Sequence, residues 1–167
     1  GEIGNRKVIP VGELPALAVQ LRAQGRRLVF TNGCFDLLHW GHIRFLEAAR
    51  RHGDVLLVAL DDDKSVRRLK GPGRPVLPAR QRQEILAALA AVDYVTIFVT
   101  EELPSLLEVL QPAVLAKGSN YPESEVVGAD LVRSWGGQVV LIPVEESVST
   151  RDLIHRIQNQ TPQAAAG

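Results

Sequence analysis

The sequence predicts an α/β fold, a Rossmann-like three-layer sandwich built on a five-stranded parallel sheet. Short β-branched or Leu/Val runs alternate along the chain with longer segments of helical period. Four of these runs are apolar throughout, as expected of parallel strands that are covered on both faces. The predicted strands are 27–31, 54–60, 93–99, 113–117 and 138–144.

The segments between the strands predict helices that cover both faces of the sheet. Each is long enough to return the chain for a right-handed crossover. The predicted helices are 11–24, 41–52, 78–91, 104–110, 125–135 and 150–158. The positions of proline and glycine agree with this assignment. Prolines stand at helix starts (Pro78, Pro104), and glycines stand at turns or helix ends (Gly53, Gly118, Gly136). We expect a leading helix segment over 1–26, one domain over 27–159 and a frayed tail over 160–167.

Charge and composition exclude several classes of function. Lys plus Arg and Asp plus Glu both number 19, so the net charge of zero gives no general attraction to nucleic acid or to an anionic membrane. The longest wholly apolar run, 85–92, is far shorter than the roughly 20 residues of a membrane span. No secretory signal is evident, so a cytoplasmic location is expected. The single cysteine, Cys34, excludes an intrachain disulfide and a CxxC site.

A mixed polar and apolar stretch, 31–42, leads from the first strand into a helix. Its end, His39-Trp40-Gly41-His42, places two imidazoles at a helix N-terminus, where N–H groups and the helix dipole favour a phosphate. Gly41 has no Cβ and lets an anion approach the backbone. Two alternatives remain: one histidine caps the helix while the other packs, or the pair binds zinc. Zinc lacks a third ligand nearby apart from Cys34, so no protein-held metal is expected.

Several strings, taken together, identify a family. They are 31–39, Leu69-Lys70-Gly71 with Arg74-Pro75, Gln81-Arg82, 91–95 and Lys117-Gly118. With them, residues 27 to about 157 resemble the cytidylyltransferase-like branch of the nucleotidyltransferase superfamily, whose signature is His-x-Gly-His. Within that branch they resemble most the heptose 1-phosphate adenylyltransferases. The resemblance implies the nucleotidyltransferase fold of that superfamily.

The sequence departs from the family pattern at four positions. Asn120 replaces the Asp of Lys-Gly-x-Asp-Tyr, which puts in doubt any metal or base contact of that carboxylate. Asp61 stands where Asn is common, and Ser147 where Gly is common. Val144 replaces the Arg of the glycerol-phosphate cytidylyltransferases, which disfavours CTP.

The resemblance assigns roles to individual residues. His39, His42, Lys70 and Arg82 would be catalytic, and Asp36, Asp63, Lys70 and Arg74 would bind the sugar phosphate. The nucleotide would be bound by Thr31, Asn32, Gly33, Cys34, Phe35, Gly41, Lys117, Gly118, Asn120, Tyr121, Ser149 and Thr150.

Each assigned role has a plainer alternative. The basic loop Lys70–Arg74 is a lid over the substrate or an ordinary solvated loop. Arg82 is a phosphate clamp pointing into the crevice or a member of a surface salt bridge. Asp36 and Asp63 bind sugar hydroxyls or form turns. Ser149 or Thr150 can cap the closing helix and also hold phosphates.

The implied reaction transfers AMP from ATP to a sugar 1-phosphate, D-glycero-β-D-manno-heptose 1-phosphate, and releases pyrophosphate. Mg²⁺ would be bound mainly through the ATP phosphates. A cytidylyltransferase for glycerol 3-phosphate and a non-catalytic nucleotide-binding module are the alternatives. We also expect a homodimer, and a separate sugar kinase that supplies the substrate, because 167 residues leave no room for one.

Overall fold

The computed structural model describes residues 6–144 and 150–160. Its five strands are β1 (Leu28–Gly33), β2 (Val55–Asp61), β3 (Tyr94–Phe98), β4 (Val114–Gly118) and β5 (Gln138–Ile142). They form one parallel sheet in the order β3-β2-β1-β4-β5. The predicted fold class is confirmed, and every predicted strand is present to within two residues at each end.

Helices fill both faces of the sheet. They are α1 (Leu14–Ala23), α2 (Trp40–Arg50), α3 (Asp63–Lys70), α4 (Ala79–Ala87), α5 (Leu103–Leu110), α6 (Ala129–Ser134) and α7 (Thr150–Gln158). Three short 3₁₀ turns lie at Val11–Glu13, Thr100–Glu102 and Glu123–Glu125. No helix within the described ranges is long and apolar enough to cross a membrane.

Three helices differ from the sequence-based expectation. The helix predicted over 78–91 already ends at Ala87. The helix predicted over 125–135 begins only at Ala129, because Gly128 has a φ of +89° and packs so closely on Leu107 that a Cβ would lie 2.3 Å from Leu107 Cδ1. Helix α3 was not predicted at all. Its residues are mostly polar, and Val66 is its only buried apolar side chain, so too few apolar residues mark its buried face.

The core lies in two layers, one on each face of the sheet. Neighbouring residues of β1 illustrate this, since Phe30 packs in the layer with α1, α5 and α6, and Val29 packs in the layer with α2 and α4. Residues 55–60 of β2 are fully buried, which explains why this strand has no polar alternation.

The strand order places a topological switch point between β1 and β4, where crossovers leave in opposite directions. Ligands of such sheets bind at the carboxyl ends of the strands at this point. Six residue pairs join β1 to β2, but only two, Val29–Val114 and Phe30–Leu115, join β1 to β4. The ladder between the two central strands therefore ends at Phe30, short of their carboxyl ends, where the ligand crevice of such a sheet is expected.

Candidate active site

The crevice floor is bridged by a buried lysine. Lys117, at the end of β4, donates from Nζ to the carbonyl oxygen of Asn32 at 2.8 Å, where the ladder between β1 and β4 has already ended. Burial lowers the pKa of Lys117 to about 8, against the opposing effect of the Asp61 carboxylate. Near pH 7 the ammonium is still mostly charged, and it adds one positive group to the crevice.

The loop that follows β1 turns sharply beneath the histidines. Phe35 has a φ of +46°, and its ring folds back so that a Cβ on Gly33 would lie 3.1 Å from Phe35 Cε2. The Phe35 ring centroid is 5.4 Å from that of His42. Gly33 thus makes room for an aromatic ring that supports His42 from below.

His39 and His42, called here the imidazole pair, cap helix α2 reciprocally. The Gly41 N–H donates to His39 Nδ1 at 3.1 Å, and the His39 N–H donates to His42 Nδ1 at 3.3 Å. The two ring centroids are 3.9 Å apart. The structure thus agrees in part with the capping alternative, because both rings cap the helix through Nδ1. The Gly41 N–H is used in this cap and is not left for an anion.

The capping bonds fix the protonation of the imidazole pair. An Nδ1 that accepts a hydrogen bond carries no proton, so each neutral ring carries its proton on Nε2. Burial, followed by the charges of His39 and Lys70, lowers the pKa of His42 to about 4, and burial lowers the pKa of His39 below its ordinary value. Among the described residues neither Nε2 has a partner. The pair therefore presents two neutral N–H donors at the start of α2.

The Asp36 carboxylate is hydrogen-bonded to other residues of the chain. Its side chain is fully buried and accepts from Leu77 N at 2.8 Å, Val76 N at 2.7 Å and Arg74 Nε at 3.0 Å. Burial alone would raise the pKa of Asp36, but these three donors together lower it. In this structure the carboxylate anchors residues 74–77, and a sugar hydroxyl would have to displace one of these bonds.

The position of Arg82 differs from both sequence-based expectations, which were a phosphate clamp that points into the crevice and a member of a surface salt bridge. Its guanidinium is fully buried. It donates to three carbonyl oxygens, Cys34 at 2.7 Å, Asp61 at 2.9 Å and Leu77 at 3.0 Å, and to Asp63 Oδ1 at 2.8 Å. It thus connects the loop after β1, the end of β2 and the start of α4. The half-exposed Asp63 carboxylate also accepts from the Ala79 N–H, which caps α4.

The basic segment, residues 70–77, consists of the last residue of a helix, a glycine turn and an irregular stretch that is anchored to Asp36. Lys70 is the exposed last residue of α3. Gly71 and Gly73 have φ values of +92° and +80°, and nothing lies within 4 Å of a Cβ built on either. Arg74 is mostly buried against Asp36. The expected lid is therefore confined to its first residues.

The far wall of the crevice is a turn after β4. Tyr121 N–H donates to Gly118 O at 3.2 Å, and the Asn120 side chain folds over Gly118, where a Cβ would lie 2.5 Å from Asn120 Oδ1. Val144 closes the same wall, since its Cγ2 would lie 2.7 Å from that Cβ. A Cβ at position 118 would force the Asn120 and Val144 side chains to move, and more than half of the Tyr121 surface is exposed.

The remaining predicted site residues lie as follows. Thr31 is buried within β1, and Asn32 Oδ1 is buried without a hydrogen-bond partner among the described residues. The Cys34 thiol is half-buried, and burial raises its pKa. Thr150 is the first residue of α7, whereas Ser149 lies outside the described residues.

Sequence analysis missed Leu77, whose N–H donates to Asp36 and whose carbonyl oxygen accepts from Arg82. No residue-type signal could have found it, because only its backbone atoms take part. A cavity of about 650 Å³ beside Pro104, Val126 and Ala129 shares no residue with the predicted site.

Comparison with known proteins identifies the domain type. Residues 30–163 match the family model described as cytidylyltransferase-like. The bifunctional protein HldE of Desulfatibacillum aliphaticivorans is 47% identical over 153 residues, which are 92% of this chain and 31% of that protein. The same protein of Magnetococcus marinus is 52% identical over 83% of this chain and 28% of its own length. The chain thus spans about a third of the curated relatives it matches.

Two solved structures share the fold at low sequence identity. The lipopolysaccharide core biosynthesis protein from Thermoplasma volcanium has a TM-score of 0.61 and 22% identity, over 74% of this chain and 99% of that one. The pantoate-beta-alanine ligase from Francisella tularensis has a TM-score of 0.63 and 16% identity, over 93% of this chain and 73% of that one. These two likenesses support the fold alone.

Proposed function

Because the chain belongs to the cytidylyltransferase-like family and is a nucleotidyltransferase domain, we propose that it transfers AMP from ATP to D-glycero-β-D-manno-heptose 1-phosphate, which gives ADP-heptose and pyrophosphate. The product would serve the synthesis of lipopolysaccharide or another glycan. The relatives named HldE are in keeping with this proposal.

The observation that carries the proposal is the reciprocal cap of the imidazole pair. Both Nδ1 atoms are used by the backbone of α2, and this leaves two adjacent Nε2–H donors at the N-terminus of an 11-residue helix. Aligned neutral donors and a helix dipole suit a polyphosphate. The pair also lies in the loop after β1, on the side of the sheet where the switch-point crevice opens.

The reaction needs no base from the protein. An oxygen of the acceptor phosphate is already ionised at neutral pH, attacks the α-phosphorus of ATP, and forms the new P–O bond as the bond to the β-phosphate breaks. The electron pair of the breaking bond leaves with pyrophosphate. The Nε2–H groups of the imidazole pair would hold the α- and β-phosphates and stabilise the charge that builds on the leaving oxygen. Lys70 and Lys117 would add positive charge around the crevice.

Mg²⁺ enters this proposal with the nucleotide. Phosphate oxygens are the hard ligands that Mg²⁺ prefers, and it neutralises their charge when bound. Within the described ranges no three His, Cys, Asp or Glu side chains are grouped so that they could hold a metal. The chain's own residues therefore bind and orient the phosphates in this proposal.

Pyrophosphate release tests the proposal directly. ATP, CTP, GTP and UTP are each offered with a panel of sugar 1-phosphates and with glycerol 3-phosphate. We expect ATP with heptose 1β-phosphate to give the highest kcat/KM, and mass spectrometry to detect ADP-heptose. Release with CTP and glycerol 3-phosphate alone would favour the cytidylyltransferase alternative. ATP binding without turnover on any acceptor would favour a non-catalytic module.

A further inference from the structure

Two buried charged groups hold the backbone of the same residue, Leu77, one at its N–H and the other at its carbonyl oxygen. The Asp36 carboxylate accepts the Leu77 N–H, and the Arg82 guanidinium donates to the Leu77 carbonyl. Asp36 belongs to the loop that leads to the imidazole pair, and Arg82 donates to Cys34 O in the same loop. The loop after β1 and residues 74–77 are thus joined through Leu77 by two separate side chains.

This network resists movement because its charges are desolvated. The side chains of both Asp36 and Arg82 have no solvent-exposed surface. In a medium of low dielectric constant their hydrogen bonds are strong, and an unpaired partner would be left as a buried charge. Residues 74–77 therefore cannot swing away from the loop without breaking several charge-assisted bonds at once.

The open glycines mark where this fixed region ends. Nothing lies within 4 Å of a Cβ built on Gly71 or Gly73, whereas Arg74, Val76 and Leu77 all bond to Asp36. Any closure over a substrate must then take place in residues 70–73. The position of Arg74 relative to the imidazole pair is set by the network and not by the substrate.

We propose that Arg82 is a positioning residue, which together with Asp36 fixes the separation between the imidazole pair and Arg74 and does not itself touch a phosphate. The inference rests on the proposed function for its kinetic consequence only. It assigns to Arg82 a role through the Cys34 and Leu77 carbonyl oxygens, and it makes the geometry of the phosphate site depend on a residue outside the ligand's reach.

Arg82→Lys tests the proposal, because it keeps the charge but cannot make four bonds in a planar fork. Because Leu77 O is then no longer held by Arg82, the Val76 and Leu77 amides, which donate to Asp36, should exchange with solvent at least about tenfold faster. The value of kcat should fall by at least about tenfold while KM for ATP stays within about threefold, since small misplacements of reacting groups affect chemistry more than binding.

Arg80→Lys is the matched control. Arg80 lies on the same helix with an exposed side chain, and both quantities should remain unchanged.

Asp63→Asn keeps the test decisive if Arg82→Lys does not fold. Its side chain is half-exposed, and the amide oxygen can still accept the Ala79 N–H while the charge opposite Arg82 is lost. The same two changes are expected. Unchanged exchange at Val76 and Leu77, or a rise in KM for ATP with kcat intact, would overturn the positioning role. Amide exchange is measured on the free chain, so it tests the network even if no nucleotidyl transfer is found.

Discussion

At the scale of single residues, the two nitrogens of His42 have different tasks. Nδ1 accepts the His39 N–H and stabilises the helix start, and Nε2–H remains for a ligand. In His42→Asn the amide Oδ1 lies close to the position of Nδ1, so the cap should persist while the Nε2 donor is lost. We expect kcat to fall by at least about 100-fold, since the loss of one transition-state donor typically costs about 3 kcal/mol. Steady-state pyrophosphate release measures this.

The control for that variant is His52→Asn. His52 is exposed near the end of the same helix, and its substitution should leave kcat unchanged. Thermal unfolding shows whether the His42 variant kept its cap, because a lost cap costs about 1 kcal/mol. Activity of His42→Asn within threefold of the parent chain would remove the imidazole from the proposed chemistry.

The charge state of His42 also predicts how stability depends on pH. Its pKa is about 4 in the folded chain and near the ordinary value of 6.5 in the unfolded chain. Between these values the unfolded chain binds a proton that the folded chain excludes, so the free energy of unfolding falls as pH falls through this window. His39 contributes in the same direction, since its pKa is also lowered.

Urea unfolding at pH 7 and at pH 5 measures the effect. The parent chain should lose about 1 kcal/mol more than His42→Asn over this interval, after allowance for the partial exposure of the ring. An identical loss in both chains would mean that the imidazole is not desolvated as the structure shows.

Site residues differ in how far a sequence can predict their role. The spacing of His39 and His42 at a helix start predicts a phosphate site from residue types alone. Arg82 and Asp36 were expected to contact ligands, but their partners are mainly backbone atoms of Cys34, Asp61, Val76 and Leu77. A backbone carbonyl or N–H has no signature in the sequence, so the burial of these two charges could not be foreseen.

At the scale of elements, α3 gives Lys70 its place. The helix starts with the Asp62 side chain accepting the Ser65 N–H at 2.9 Å and ends at Lys70, with Gly71 as its C-cap. Lys70 lies near enough to His42 to lower the pKa of that imidazole. We expect Lys70→Ala to raise KM for the sugar phosphate by about tenfold with little change in kcat, because a contact to a charged group is worth about 1.5 kcal/mol and is partly made in the ground state.

Lys64→Ala is the matched variant for this measurement. Lys64 is an exposed lysine in the first turn of the same helix, and its removal changes the net charge equally. Equal effects of both substitutions would mean that the basic segment acts only through general charge, as a solvated loop would.

The elements that the sequence predicted are those with an apolar pattern. The strands are continuous apolar runs because both faces of the sheet are covered, and α2 and α5 bury a stripe of their surface. Helix α3 is held instead by a polar cap and by the bond from Arg82 to Asp63. Such a helix depends on tertiary contacts, so hydrophobic periodicity could not reveal it.

At the scale of the whole molecule, the sheet is least connected between β1 and β4, and the crevice lies at the carboxyl ends of the same two strands. Five apolar strands predict a parallel sheet but not its order, because nothing in a buried run specifies its neighbours. The observed order leaves β1 joined to β4 by two register pairs and by the Lys117 contact to Asn32, whereas β1 and β2 share six pairs. A nucleotide in the crevice would contact residues on both sides of the boundary between β1 and β4.

A nucleotide that bridges β1 and β4 should stabilise the entire domain. A ligand that binds only the folded chain adds about 2.7 kcal/mol at 100 times its Kd, which for a domain of this size raises Tm by about 5–10 °C. We expect ATP with Mg²⁺ to give this shift by differential scanning calorimetry, and CTP at the same concentration to give a smaller one, since apolar Val144 lines the wall beside Gly118. His42→Asn should reduce the shift with ATP without changing Tm of the free chain. Adenosine, which lacks phosphates, should give little shift if the imidazole pair binds the polyphosphate. A CTP shift equal to that of ATP would contradict the assigned nucleotide, and an adenosine shift equal to that of ATP would contradict the assigned phosphate site.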